Sequence, residues 1–541
     1  MKKRKKIPTK TELLQLQKLY KTDERIGERL GGVPAYLVAY WRRKKNIPKY
    51  SLPKFSEKEI RNLWERYGDD EKSGLELGIS KAAFYNWRRR YGIREKPAFL
   101  KLEQLELNFP GSQQPAHVSS LYGKRSVAQK ILAGLAEVER VEPGEEVEVE
   151  PDLVLAPGGA GSVVESFKKK SAELVWNPNK IVMTLDYLRT HNGKGPAAAH
   201  KMVREFARRQ GIKSFYDLRE GTGHQLVIEK GLVVPGQLLV GPERQVAGYG
   251  AMAAYAAGID AGTMAEIWVT GKTKLTVPGT VRIVVTGRRY RGVYAVDMAL
   301  SIIKQLGPGS LEGKAIEYAG SAISQLTIGE RYALSSLSHE TGAVAAVCAY
   351  DATTRRYLTG RTINRFQPVM PDKDAEYDQI YQVNIDQLTP KIERQGSERQ
   401  VRELAEVDGL AVHQVILGTC TAGRFEDLRV AADVLKGKQV HHECRLIIIP
   451  GSRAVYLEAL KKGLIRVFIE AGAIVMYPGC YPGSMENSGF LAEGERCLTT
   501  SNRPIAGLTD AHNADIYLCS PATAAASALN GVITDPTRFV R

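Results

Sequence analysis

Hydrophobic positions follow two regimes along the chain. As far as Ile93 they recur at helical spacing, and from Leu121 onward short β-branched runs alternate with amphipathic stretches. The early regime repeats itself. One copy runs from Leu13 to Pro48 and a second from Glu59 to Ile93. Each has a helix-like stretch ending in Tyr (Tyr20, Tyr67) and a short acidic second helix. A Gly turn follows (Gly31-Gly32, Gly78), then a third helix ending in Trp and cations. Those endings are Trp41-Arg42-Arg43-Lys44-Lys45 and Trp87-Arg88-Arg89-Arg90, with the tryptophans 46 positions apart. The pattern predicts an all-α module over residues 1–96, made of two three-helix units whose second and third helices form a helix-turn-helix. Residues 97–120 are rich in Pro, Ser and Gln and read as a linker.

In the second regime, LVLAP, KIVMTLD, GQLLVG, VRIVVTG, AIEYAG, VHQVILGTC, RLIIIPG and AGAIVMYPG read as buried strands. A turn or helix-like segment follows each of them. This alternation predicts an α/β body over residues 121–541, with a mostly parallel sheet and several subdomains. Functional groups are expected at the carboxyl ends of its strands. Thr270-Gly271-Lys272-Thr273 looks like the end of a phosphate loop, but Glu266 stands where that loop needs its first Gly.

Charge sharpens the division. Residues 1–100 hold 26 Lys+Arg against 12 Asp+Glu, whereas the other 441 residues hold 50 against 48. Nearly all of the net +16 therefore lies in the repeated module. A basic module on a near-neutral body implies a polyanionic partner for the module alone. Arg42, Arg43, Lys44, Lys45, Arg88, Arg89 and Arg90 are the expected contacts to double-stranded DNA, each third helix packing on its Trp and turning its cations to phosphates. The stretch resembles the homeodomain-like and resolvase-like families, without a motif diagnostic of either. A helical bundle that docks a protein is the competing reading.

No run of ~18 apolar residues suggests a membrane span. The basic amino terminus lacks the apolar stretch of a signal peptide. Six irregularly spaced cysteines, with no Cys-x-x-Cys, fit a reducing cytoplasm.

Several segments carry a resemblance over about residues 121–541. They are SVAQKILAG, GTGHQLVIEKGLVVPGQLLVG, GKTKLTVPGTVRIVVTG, KAIEYAGSAISQLTIGERYALSSLSHETGA, VILGTCTAGRFEDLRVAADVLKG, FIEAGAIVMYPGCYPG, FLAEGERCLTTSNR and YLCSPATAAASALNGVITDP, in that order. The stretch resembles the aconitase superfamily, and within it the large subunit of 3-isopropylmalate dehydratase. The resemblance implies a three-layer α/β/α body, hydro-lyase activity on a hydroxy di- or tricarboxylic acid, a small-subunit partner and a [4Fe–4S] cluster. In that family three thiolates hold the cluster, and its fourth iron acts as a Lewis acid.

Matched to the family, the site is incomplete. Cys420 and Cys480 stand at two thiolate positions, but Gly483 stands at the third. The acid–base segment Gly-x-Asp-Ser-His-Thr reads Gly241-Pro242-Glu243-Arg244-Gln245-Val246 here, and neither Arg nor Gln relays a proton near neutral pH. An Asp-His pair has become Asp186-Tyr187, a carboxylate-gripping Arg aligns with Leu508, and an Asn near the cluster aligns with Ser336. His224, Asp186 and Glu340 remain as candidate catalytic groups. Arg503, Arg424 and Asn502 remain as candidate carboxylate-binding groups, and Arg244 adds positive charge. Three readings stay open. One is a DNA-binding regulator that senses a small acid through an inactive site. Another is a divergent hydro-lyase acting with a small subunit. The third is an interaction scaffold.

Overall fold

The computed structural model describes residues 7–20, 22–48, 55–67, 69–77, 79–93, 124–156, 160–170, 172–185, 196–242, 244–362, 364–396, 399–480, 491–502 and 515–540. The expected linker, residues 97–120, lies outside them. The chain divides into residues 1–119 and 120–541.

The first part holds two small helical bundles. One consists of α1 (Lys10–Tyr20), α2 (Asp23–Arg29) and α3 (Ala35–Lys44), the other of α4 (Glu57–Tyr67), α5 (Asp70–Glu76) and α6 (Lys81–Arg90). Each has its own core. Leu13, Ile26, Val33, Val38, Trp41 and Ile47 fill the first; Ile60, Trp64, Ile79, Phe84 and Ile93 fill the second. Trp87 is only partly buried, stacking on Tyr91 and meeting Phe55 edge-on. Thr22 and Ser80 cap α2 and α6 by accepting from Arg25 N and Ala83 N. Gly27 and Gly74 let the following turn come close. A Cβ on Gly27 would lie 2.0 Å from the Val33 carbonyl oxygen, and one on Gly74 would lie 2.9 Å from that of Ile79.

The second part is α/β, as the alternation predicted. Its strands are β1 (Glu146–Val149), β2 (Leu153–Ala156), β3 (Ile181–Thr184), β4 (Ser214–Tyr216), β5 (Leu238–Gly241), β6 (Tyr255–Gly258), β7 (Thr273–Thr276), β8 (Thr280–Thr286) and β9 (Ala315–Ala319). They continue as β10 (Ala345–Cys348), β11 (Gln379–Asn384), β12 (Lys391–Gln395), β13 (Gln400–Glu403), β14 (Gln414–Gly418), β15 (Arg445–Ile449), β16 (Ile474–Val475), β17 (Arg496–Thr499) and β18 (Asp515–Leu518). Two sheets are parallel throughout, in the orders β4-β3-β2-β5-β6 and β10-β9-β8-β11. The largest has the order β13-β12-β18-β17-β14-β15-β16, parallel from β18 to β16 and antiparallel at β12. β1 and β7 form a separate antiparallel ribbon. The decoy at Thr270–Thr273 is a helix end: Gly271 ends the helix Ala261–Thr270 in the left-handed conformation, and β7 follows.

The central strands are hydrophobic on both faces because helices cover both. β2, β3, β5, β14 and most of β15 are fully buried. Among the described residues, no helix is long and apolar enough to cross a membrane.

Candidate functional site

The parallel part of the largest sheet sets the site. Cys420 lies just past the carboxyl end of β14, Gly451-Ser452 past β15, Cys480 past β16 and Asn502 past β17. The turn after β14 is strained. Gly418 has φ 122°, and a Cβ there would lie 1.9 Å from the Ile449 carbonyl oxygen. Thr419, a buried β-branched residue, has φ 69°. The turn is held by the Gly418 N–H donating to Thr500 Oγ1 at 2.9 Å. Cys420 then lies on the short helix Thr419–Ala422.

His224 lies in the first turn of the helix Gly223–Glu229. That helix is capped by Thr222, whose side chain accepts from Gln225 N. Two backbone bonds link this helix to the Cys420 segment: Thr222 N donates to Gly451 O (2.9 Å), and Gly451 N donates to Gly423 O (2.7 Å). Ser452 Oγ donates to Glu229, which also accepts from Gln225 Nε2 at 3.2 Å. The His224 ring is buried, with its centroid 6.3 Å from both Tyr249 and Tyr332. Those two rings meet edge to face at 5.6 Å. The Arg424 guanidinium lies over the Tyr332 ring at 4.5 Å. His224 and Arg424 thus share one aromatic cluster, as neighbours of the Cys420 turn.

Asn502 is buried and donates through Nδ2 to Ser336 Oγ at 2.9 Å. One helical turn beyond Ser336 stands Glu340, within a compact ion cluster. Its Oε1 lies 2.9 Å from His339 Nε2 and in contact with the Arg399 guanidinium, which lies 3.9 Å from Glu393. Burial disfavours the charged form of Glu340, but His339 and Arg399 outweigh it and hold this carboxyl below its ordinary range. For Glu393 burial wins over the pull of Arg399 and pushes the carboxyl up to about 7. Two neighbouring carboxyls are thereby driven apart, one ionised and one inclined to keep its proton.

Arg244 is exposed, at the start of the 3-10 segment Arg244–Met252. Asp186, Arg503 and Gly483 lie outside the described residues, and of Cys420 only the backbone is described. Sequence reasoning missed Tyr249, Tyr332, His339, Glu393, Arg399 and Ser452. The ion cluster has no motif: Glu340 and Glu393 are 53 positions apart and meet only through the fold.

A [4Fe–4S] cluster of the family's kind does not fit this donor set. Gly483 offers no thiolate, and the remaining cysteines are elsewhere. Cys348 ends β10 in another sheet. Cys444 precedes β15, and Cys497 pairs with Gln414 at the opposite end of β14. Cys519 packs into the core with Leu417 and Ala524. Burial raises all four thiols, Cys444 to about 12.

In the basic module the structure corrects the expected set of exposed cations. Arg42 and Arg88, which head the two basic runs, are buried and point inward. Arg42 pairs with Asp23 on α2 at 3.0 Å and Arg88 with Asp70 on α5 at 2.8 Å. Each guanidinium sits where the third helix crosses the second, so neither is presented to solvent. Arg43, Lys44, Arg89 and Arg90 are exposed, and Lys45 is half-buried.

The Aconitase family (aconitate hydratase) matches residues 186–531, and the chain belongs to that family. Among its relatives, the large subunit 1 of 3-isopropylmalate dehydratase from Methanopyrus kandleri is 40% identical over 417 residues, 77% of this chain and all of the relative. A probable methanogen homoaconitase large subunit from Methanosarcina mazei is 40% identical over 389 residues, 72% of this chain and 99% of the relative. A solved structure of aconitase X from Thermococcus kodakaraensis, in its holo-form, is 14% identical with a TM-score of 0.40, covering 69% of this chain and 89% of its own.

Proposed function

We propose that this chain is a large subunit of the 3-isopropylmalate dehydratase type that binds a hydroxy di- or tricarboxylic acid, with a small subunit as its partner. The supporting observation is the gathering of His224, Arg424, Asn502 and the Cys420 turn at the strand ends, in a body that aligns with whole large subunits. The Asn502 amide and the Arg424 guanidinium offer neutral and charged donors for carboxylate and hydroxyl oxygens. His224, among tyrosines, offers a ring nitrogen to a bound hydroxyl.

Within this proposal, turnover is a separate question from binding. A divergent hydro-lyase is the reading favoured by kinship over the full length of the relatives. A second reading, that the acid is bound without being dehydrated, has its own observations. Gly483 and Gln245 remove a thiolate and a proton relay, and Glu340 is tied to His339 and Arg399. In that reading the basic module carries the binding event to double-stranded DNA through Arg43, Lys44, Arg89 and Arg90.

The test is an assay of 3-isopropylmalate and citrate conversion by the anaerobically reconstituted chain, alone and with a small subunit, beside calorimetric titration of both acids. Heat of binding without turnover supports the second reading. Turnover within about a hundredfold of ordinary enzymes, at ~1–1000 per second, establishes the hydro-lyase. Absence of both binding and turnover overturns the proposal.

A further inference from the structure

The two helical bundles are built alike inside and differently outside. Asp23 binds both Nε and Nη2 of Arg42 at 3.0 Å, while Arg42 Nη1 donates to the Ile47 carbonyl at 3.1 Å. In the second bundle Asp70 binds Nε and Nη2 of Arg88 at 2.8 and 2.9 Å, and Arg88 Nη1 donates to the Ile93 carbonyl at 2.8 Å. The same atoms make the same bonds in both copies. With Gly27 and Gly74 at the matching close approach, one clamp poses α3 on α2 and α6 on α5.

The outer faces can therefore be compared position by position, at the offset of 46 set by the tryptophans. Tyr36 pairs with Ala82, Ala39 with Tyr85, Tyr40 with Asn86, Arg43 with Arg89 and Lys44 with Arg90. All but Ala39 are exposed. The last two positions carry cations in both copies and suit phosphates, whatever the base sequence. The first three differ. The first bundle presents Tyr36 and Tyr40, one turn apart and 71% and 53% exposed, where the second presents Ala82 and Asn86; the second has an exposed tyrosine, Tyr85, where the first has Ala39. The decisive position is Tyr40 against Asn86: an aromatic ring cannot make the bidentate pairing with adenine that an asparagine amide makes in the major groove.

We propose that α3 and α6 read two unlike half-sites, so that the target is a non-palindromic stretch of double-stranded DNA with an adenine assigned to Asn86. This rests on the DNA-binding reading given above and deepens it. Charge complementarity points to the occupant: residues 1–100 carry a net +14, and although the second bundle is near neutral over residues 55–93 (8 Lys+Arg against 7 Asp+Glu), the clamp leaves two exposed cations at the end of each reading helix to meet a polyanion.

The experiment exposes the full chain to a pool of randomised duplexes and sequences what it retains, then repeats this with Asn86→Ala and Tyr40→Ala. Both changes are at exposed helical positions where Ala favours the helix, and circular dichroism checks the fold. The expected motif has two different halves. Asn86→Ala abolishes the adenine preference in one half and weakens the best duplex about tenfold or more, leaving the other half intact; Tyr40→Ala does the reverse. A palindromic motif, binding without sequence preference, or equal weakening on every duplex overturns the proposal while leaving DNA binding in place. Failure to retain any duplex at low salt removes both.

Discussion

Arg42 and Arg88 look in the sequence like the first members of two DNA-facing runs, yet each is spent inside its own bundle. Periodicity could not show this, because their partners Asp23 and Asp70 lie 19 and 18 positions upstream, across a turn. Arg88→Ala should leave the half-buried Asp70 without its partner, costing on the order of 2 kcal/mol and much of a bundle this small, seen as lost helicity on denaturation. Arg89→Ala should leave helicity unchanged and lower the salt slope of DNA affinity by roughly 0.9. The two neighbours thus have separable readouts. If both substitutions moved only the salt slope, the inward role of Arg88 would be wrong. Glu393 makes a pH prediction. Its folded value of about 7 lies above its ordinary 4.5, so its contribution to stability is complete below about 4.5 and is lost as pH rises through 7. Melting temperatures of the wild type should fall over that window relative to Glu393→Gln, and parallel profiles would refute the assignment.

At the scale of elements, the hydrophobic runs were the legible part. All eight runs read as strands contain one, because two-sided burial demands continuous apolar sequence. Missed strands β11 (QIYQVN) and β13 (QVRE) are polar because they are sheet edges with faces in water, whereas β12 (KIERQ) buries its polar Lys391 and Glu393 in ion pairs that no hydrophobic pattern shows. The site was legible only in part. Cys420, His224, Arg424 and Asn502 could be picked out by resemblance and do fall at or beside the strand ends, but the ion cluster around Glu340 is a product of tertiary packing. The turn after β14 is the element with least tolerance. Gly418→Ala would drive a methyl to 1.9 Å from the Ile449 carbonyl oxygen in a conformation side chains avoid. The expected result is poor soluble yield or a loss of several kcal/mol in urea unfolding, beyond the ~1 kcal/mol of an ordinary glycine replacement. Wild-type stability in this variant would contradict the close approach of Gly418 to the Ile449 carbonyl.

For the whole molecule, a basic pair of helical bundles is joined to a body of nearly balanced charge, and only the body is shared with the relatives. The Methanopyrus relative is matched end to end by 417 of the 541 residues. If the module binds DNA as proposed, removing residues 1–120 should abolish that affinity and leave the proposed affinity for a carboxylic acid unchanged, as read by gel shift and calorimetry on the same preparation. The central claim is that the body keeps an acid-binding site although its donor set does not fit the family's cluster. The most direct measurement is calorimetric titration of 3-isopropylmalate and citrate into the full chain, before and after iron is stripped by a chelator. The account predicts one binding site for at least one of these acids, with an affinity that survives stripping. Binding that disappears with the iron and returns only when iron and sulfide are restored would contradict it.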